Sequence, residues 1–153
     1  MKKRTLHIFL VVILLLGLVP SNGFAANELV ETNIIYYEDG SYLELFVETS
    51  STRAANTVSG SKKCIYRDSD GNVEWEAKLT ATFAYSGAWY TCTAANCNVT
   101  VYDTKWYEIS NTTTRSSNNA FTNLTMGRRL LGVTVDRPQY TIKLTCDSSG
   151  NLS

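Results

Sequence analysis

Histidine is nearly missing from this chain. The single one, His7, falls in a segment where Lys2, Lys3 and Arg4 lead into an apolar run from Ile8 to Val19, followed by Pro20 and small residues up to Ala25. That is the layout of a cleavable secretory signal, so residues 1–25 are expected to be removed on export. The remaining chain then has no imidazole, which excludes Ser-His catalysis and histidine-bound zinc. Long apolar runs are also lacking. The leader's run has 12 residues, whereas a membrane-spanning helix needs about 20, and no later stretch approaches that, so no stable membrane anchor is expected.

A basic excess is missing as well. Residues 26–153 carry eleven Lys and Arg against fourteen Asp and Glu, a formal charge of −3, which argues against a nucleic-acid partner. Arg128, Arg129 and Arg137 form one local basic group, read as a solvated strand end. Sustained helical periodicity is absent throughout.

Turn chemistry and alternation are present in its place. Asp-Gly between alternating runs is a strong hairpin signal, and it occurs at Asp39-Gly40 and Asp70-Gly71. Two-residue loops there set Tyr36 opposite Leu43, Arg67 opposite Glu74 and Tyr66 opposite Trp75. From Val73 to Tyr85 one parity is apolar (Val73, Trp75, Ala77, Leu79, Ala81, Phe83) and the other mostly polar, a half-buried strand. Such a strand is long enough, at about 3.3 Å per residue, to need a bulge or bend. Ser86-Gly87 is a third turn, setting Phe83 opposite Tyr90 and Ala84 opposite Trp89. Further strand candidates are Val99–Asp103, Trp106–Ser110, Phe121–Met126, Leu130–Val135 and Tyr140–Cys146, with Asn111–Asn119 read as a loop and the final Ser-Ser-Gly-Asn-Leu-Ser as a tail. The expected fold is all-β: a small antiparallel β-sandwich or open barrel, stapled by disulfides. Residues 26–61 would be an N-terminal hairpin, docked on the body, plus a polar linker, and residues 62–153 the sandwich body.

Four cysteines in an exported chain read as two disulfides. Cys64 and Cys92 flank one central strand and lie too far apart to bond. Cys92–Cys146 with Cys64–Cys97 is the preferred pairing. Cys92–Cys97 with Cys64–Cys146 stays open. Without Cys-x-x-Cys pairs or histidine, the thiols do not suggest a metal site.

Other constellations have plain explanations. Asp68-Ser-Asp70-Gly71-Asn72 suggests calcium but fails the EF-hand spacing and is accounted for by turn chemistry. Glu74 and Glu76 share a strand face, as a glycosidase pair might, and are expected to be solvated surface. The acceptor sequons at Asn98, Asn111, Asn123 and Asn151 read as coincidence. No catalytic residue, cofactor or metal is expected. The aromatic pairs Tyr36-Tyr37, Trp89-Tyr90 and Trp106-Tyr107 are the best lead. On strands, neighbours face opposite ways, so each pair would turn one ring away from the core. Trp89, Tyr107 and Tyr37 are the candidate ligand-binding residues.

The YYEDGSY hairpin (Tyr36 to Tyr42), the Asp-Gly turn before Trp75, the TCT around Cys92, the Trp106 segment and the closing LTC-x-x-x-G-x-L-S from Leu144 together resemble a group of small exported proteins of unknown function from Gram-positive bacteria. The resemblance spans nearly all of the chain after the leader. It implies a similar small β fold with Cys92 and Cys146 as the recurring pair; it supplies no activity. The expectation is a secreted or cell-surface-associated, non-enzymatic module that binds an extracellular glycan or protein. The alternative is a small secreted effector, an inhibitor or an antibacterial protein.

Overall fold

In the computed structural model, residues 28–49 and 56–153 are described, and the side chains from Asn33 onward. The leader and the middle of the polar linker, 50–55, lie outside the described residues. Nine strands follow in order: β1 (Glu28–Tyr36), β2 (Tyr42–Thr49), β3 (Thr57–Arg67), β4 (Val73–Tyr85), β5 (Tyr90–Val101), β6 (Trp106–Ser116), β7 (Asn119–Leu130), β8 (Val133–Asp136) and β9 (Gln139–Thr145). They form two antiparallel sheets that do not close into a barrel. One is a five-stranded meander, β1-β2-β3-β4-β5. In the other, β7 is central, with β6 along one edge and β8 then β9 along the other. Pro138, which has no N–H to give a ladder, separates β8 from β9, and its carbonyl still accepts from Met126 N.

The alternation from Val73 onward places Trp75, Ala77, Leu79, Ala81 and Phe83 in the core, each at most 1% exposed. They meet Leu124, Met126, Ile142 and Leu144 from the second sheet in one hydrophobic cluster. The N-terminal hairpin docks edge-on, through the β2–β3 ladder. The expected linker is partly strand, since β3 begins at Thr57.

The registers correct the hairpin expectations, for one shared reason. At Asp39-Gly40 and Asp70-Gly71 only the glycines have positive φ, +81° and +85°, so neither turn is the two-residue form that needs it at both positions. Gly40 N instead bonds Tyr37 O, and Gly71 N bonds Asp68 O, closing three-residue loops. Tyr36 therefore pairs with Tyr42, not Leu43. In the second hairpin the extra residue is absorbed by a bulge at Glu74. Tyr66 still faces Trp75, but Arg67 pairs with Val73 and takes Glu44 on β2 as its ion partner at 2.8 Å. Around Ser86-Gly87 the loop is longer: Tyr85 pairs with Tyr90 and Phe83 with Cys92, and a bulge follows at Thr93. That bulge lets one strand, β5, run from Tyr90 to Val101 with Cys92 and Cys97 both buried.

Three further expectations change. The polar run 111–119 is mostly strand, because its threonines suit a pleated surface; Thr113 Oγ1 lies 2.9 Å from Thr122 Oγ1 on the next strand. The Leu130–Val135 candidate is two strands folded at Leu131-Gly132. The final segment is not a free tail. Asp147 accepts from Ser149 N, Asn151 N and Asn151 Nδ2, as Asp68 does from Asp70 N, Asn72 N and Asn72 Nδ2, so the two D-S-x-G-N sequences make one turn twice. The second turn brings Leu152 back against Cys146 and into the core, 3% exposed.

Disulfide stapling is corrected as well. All four cysteines are buried free thiols, and no pair is at bonding distance, neither the expected Cys92–Cys146 and Cys64–Cys97 nor the alternative Cys92–Cys97 and Cys64–Cys146. Cys64 pairs with Ala77 and Cys97 with Leu79, on strands either side of β4. Two strand spacings of about 4.8 Å already exceed the roughly 7 Å that a disulfide tolerates. The argument that separates Cys64 from Cys92 thus also separates it from Cys97, once both thiols belong to β5.

Candidate functional site

A cavity of about 370 Å³ opens at the end of the two sheets where the β1–β2 turn, the start of β6 and the β8–β9 junction converge. Its lining combines rings (Tyr37, Tyr66, Trp106, Tyr140) with charged and hydroxyl groups (Glu38, Asp39, Ser41, Arg128, Asp136) and Pro138. The size and the mixed lining fall within the range of small-ligand sites.

The rings rest on Trp75, which is fully buried. Tyr66 stacks on it with centroids 5.6 Å apart, and Tyr140 and Trp106 pack at 5.0 and 6.3 Å. Tyr37 continues the cluster outward, 5.9 Å from Tyr66. Trp75 comes from the apolar parity of β4 and Tyr66 from its cross-strand partner position, so this part of the site follows directly from the hairpin register. Trp75 Nε1 is buried without a hydrogen-bond partner.

Trp106 is held from behind. Its Nε1 donates to Glu74 Oε2 at 2.5 Å, and Glu74 also pairs with Lys105. Glu74 is 4% exposed, against the expectation of solvated surface. The β4 bulge rotates it out of the exposed parity, and the indole N–H and the ammonium offset the cost of burying a carboxylate. Glu76 is half-buried.

On the β1–β2 side, Tyr66 OH donates to Ser41 Oγ at 2.8 Å, and Ser41 donates its hydroxyl and backbone N–H to Asp39 Oδ1 at 2.5 and 3.0 Å. These bonds from Ser41 hold the Asp39 carboxyl below its usual range. Burial pushes the Tyr66, Tyr37 and Tyr140 phenols upward. Near neutral pH the cleft therefore offers uncharged phenol donors, an Asp39 carboxylate and the Arg128 guanidinium, which lies 6.0 Å from the Trp106 ring centre. The lining contains no imidazole or thiol. Its groups can stack and hydrogen-bond.

Of the three expected ligand-binding rings, only Tyr37 lines the cleft. Tyr107, next to Trp106, points to the other side of its strand, where its OH lies 2.7 Å from Thr134 Oγ1 and Arg129 sits 4.1 Å over its ring. Gly127 leaves room for that ring: a Cβ there would fall 2.3 Å from Tyr107 Cζ. Trp89 lies in the β4–β5 turn, 53% exposed, most of the length of β4 away. The three do not share a surface. Sequence reasoning missed Ser41, in the same turn as Tyr37, and Arg128, Asp136 and Tyr140, which come from segments distant in the chain. The proximity of Asp39 to a Tyr-Tyr pair was the one signal in the sequence.

The Asp68 carboxylate is occupied by the N–H groups of its own turn. No family model, no curated protein and no solved structure matches this chain.

Proposed function

We propose that the protein is an exported, non-enzymatic binding module whose ligand site is the aromatic cleft, and that the ligand is an extracellular glycan. The carrying observation is the composition of that cleft: tyrosine and tryptophan rings beside a guanidinium and carboxylates around about 370 Å³. Sugar rings present flat C–H faces that pack on aromatic rings. Their hydroxyls both donate and accept, which suits Asp39, Asp136 and Arg128 together. The leader-like start of the sequence supports export.

The test is retention on insoluble peptidoglycan and on cell-wall polysaccharide. Tyr37→Ala and Asp136→Ala should each weaken retention by at least about tenfold, the scale of one or two lost hydrogen bonds to a charged group or one lost stacking contact. Trp89→Ala, at the far end, should leave it unchanged. If no glycan is retained and the protein instead inhibits growth of neighbouring bacteria, the secreted-effector reading replaces this one.

A further inference from the structure

The β7–β8 hairpin carries its apolar residues on the outside. Leu130, Leu131, Val133 and Val135 are 64, 97, 66 and 55% exposed. Isolated exposed leucines are ordinary, but four aliphatic side chains within six residues at a protruding tip are a patch. The turn itself adds an independent observation. Leu131 has φ +51° and Gly132 φ +80°, in a two-residue loop between Leu130 and Val133. This geometry favours Asn-Gly, since the left-handed region is costly for a leucine and tolerable for asparagine. Leu131 is therefore a poor choice for the turn and fully exposed as well, so neither folding nor burial accounts for it. Strained positions of this kind cluster at functional sites such as ligand clamps and switch regions.

A basic collar surrounds the base of the tip. Arg129 and Arg137 are exposed, and among the described residues neither has an acidic group within salt-bridge distance. Arg129 is held in place by the Tyr107 ring beneath it, 4.1 Å away, and its backbone N–H donates to Lys105 O at 2.7 Å. The acids nearby are few: Glu74 and Asp103 pair with Lys105, and Asp136, the cross-strand neighbour of Arg128, accepts from the Arg137 backbone N–H at 2.8 Å.

We propose that this hairpin docks the protein reversibly on an anionic lipid bilayer, with Leu131 and its neighbours in the acyl boundary and Arg129, Arg137 and the Tyr107 ring at the headgroups. Charge complementarity selects this occupant: unpaired guanidiniums flanking an apolar tip match a surface of lipid phosphates over hydrocarbon. The shape agrees, because a convex aliphatic tip needs a pocket in a protein partner but none in a fluid bilayer. Tyr107, a ring with a polar end, is of the type found at membrane interfaces. The attachment is peripheral and goes beyond the glycan reading, because Leu131, Arg129, Arg137 and Tyr107 are not among the residues that line the cleft.

The experiment uses the chain from Ala26, which contains every described residue, since the apolar leader run would itself bind vesicles. Co-sedimentation with vesicles of equal parts phosphatidylglycerol and phosphatidylcholine should retain the protein, with retention falling as salt rises and absent on pure phosphatidylcholine. Leu131→Asn should keep or raise the thermal midpoint while lowering partition by about tenfold or more, the scale of one buried leucine. Arg129→Gln should lower it by about fivefold, as expected for about 1 kcal/mol per basic residue at such a surface. Undiminished binding by Leu131→Asn, or equal binding to pure phosphatidylcholine, would overturn the proposal. So would self-association that depends on Leu131 without vesicle binding, which would make the tip a contact between copies of the chain. Glycan retention is indifferent to Leu131, so the two readings fail separately.

Discussion

Glu74 and Trp106 are 32 positions apart and buried together, with the indole Nε1 donating to the carboxylate at 2.5 Å. The bond joins the first sheet to the start of the second at the wall of the cleft. Glu74→Ala would leave the indole N–H without its acceptor and remove an ion partner of Lys105. An unsatisfied buried donor costs about 1–3 kcal/mol, so the urea midpoint should fall accordingly, with Glu74→Gln losing less. A midpoint unchanged by Glu74→Ala would mean that Trp106 is fixed by packing alone.

The two tryptophans at opposite ends of β4 should respond differently to truncation. Trp75 is 0% exposed and Trp89 53%. Trp75→Ala is expected to cost about 3–5 kcal/mol and to loosen Tyr66, Tyr140 and Trp106, which pack on it. Trp89→Ala should stay within about 0.5 kcal/mol of the parent. Chemical denaturation of both variants distinguishes them, and equal losses would require the β4–β5 turn to be covered.

Acid should act on the turns. Asp39, Asp68 and Asp147 all have carboxyls lowered from their ordinary range, by the Ser41 hydroxyl, the Asn72 side chain and the Asn151 backbone N–H respectively. A carboxyl whose folded pKa lies below its unfolded value of about 3.9 stabilises the fold fully above that value, and the contribution is lost as pH falls through the folded pKa. The thermal midpoint should therefore hold from pH 7 to about 4 and drop below it. A double Asp68→Asn, Asp147→Asn variant should flatten the drop, and an identical profile for parent and variant would assign the acid sensitivity elsewhere.

The thiols should be slow to react. Burial, with Cys97 nearby, pushes Cys64 up to about 12, and burial, with Asp147 and Cys92 nearby, pushes Cys146 up to about 11. The thiolate is the reactive form, so a thiol reagent at pH 8 should label the folded protein far more slowly than the same protein in denaturant. A disulfide between Cys64 and Cys97 in a non-reduced digest would contradict the register of β3, β4 and β5.

Much of the fold was legible in short-range patterns. The parity of the strand assigns its core face from Trp75 onward because neighbouring strand residues face opposite ways, and Tyr66 faces Trp75 as expected, although behind a three-residue loop that pair is kept only by the bulge at Glu74. The turns were legible in place but not in type. Asp-Gly is compatible with a two-residue and a three-residue loop, and whether the aspartate itself takes positive φ depends on hydrogen bonds such as those from Ser41 to Asp39. Since one residue of slip exchanges the two faces of a strand, this small ambiguity hid the burial of Glu74. The cleft was hidden for a different reason: its lining is drawn from the β1–β2 turn, β3, β6, β7, β8 and β9, which only packing brings together.

By itself the sequence determined an all-β chain with a leader-like start, turns at its Asp-Gly pairs, and a core built on the alternating strand, because alternation and turn propensity are local properties of a few adjacent residues. The tertiary structure decided which acid is buried, that Leu152 returns to the core, that the thiols of β3 and β5 cannot meet, and that Tyr37, Arg128 and Asp136 line one cleft. Those outcomes depend on bulges and on the pairing of segments far apart in the chain, where the free energy of a contact is set by both partners and by what surrounds them.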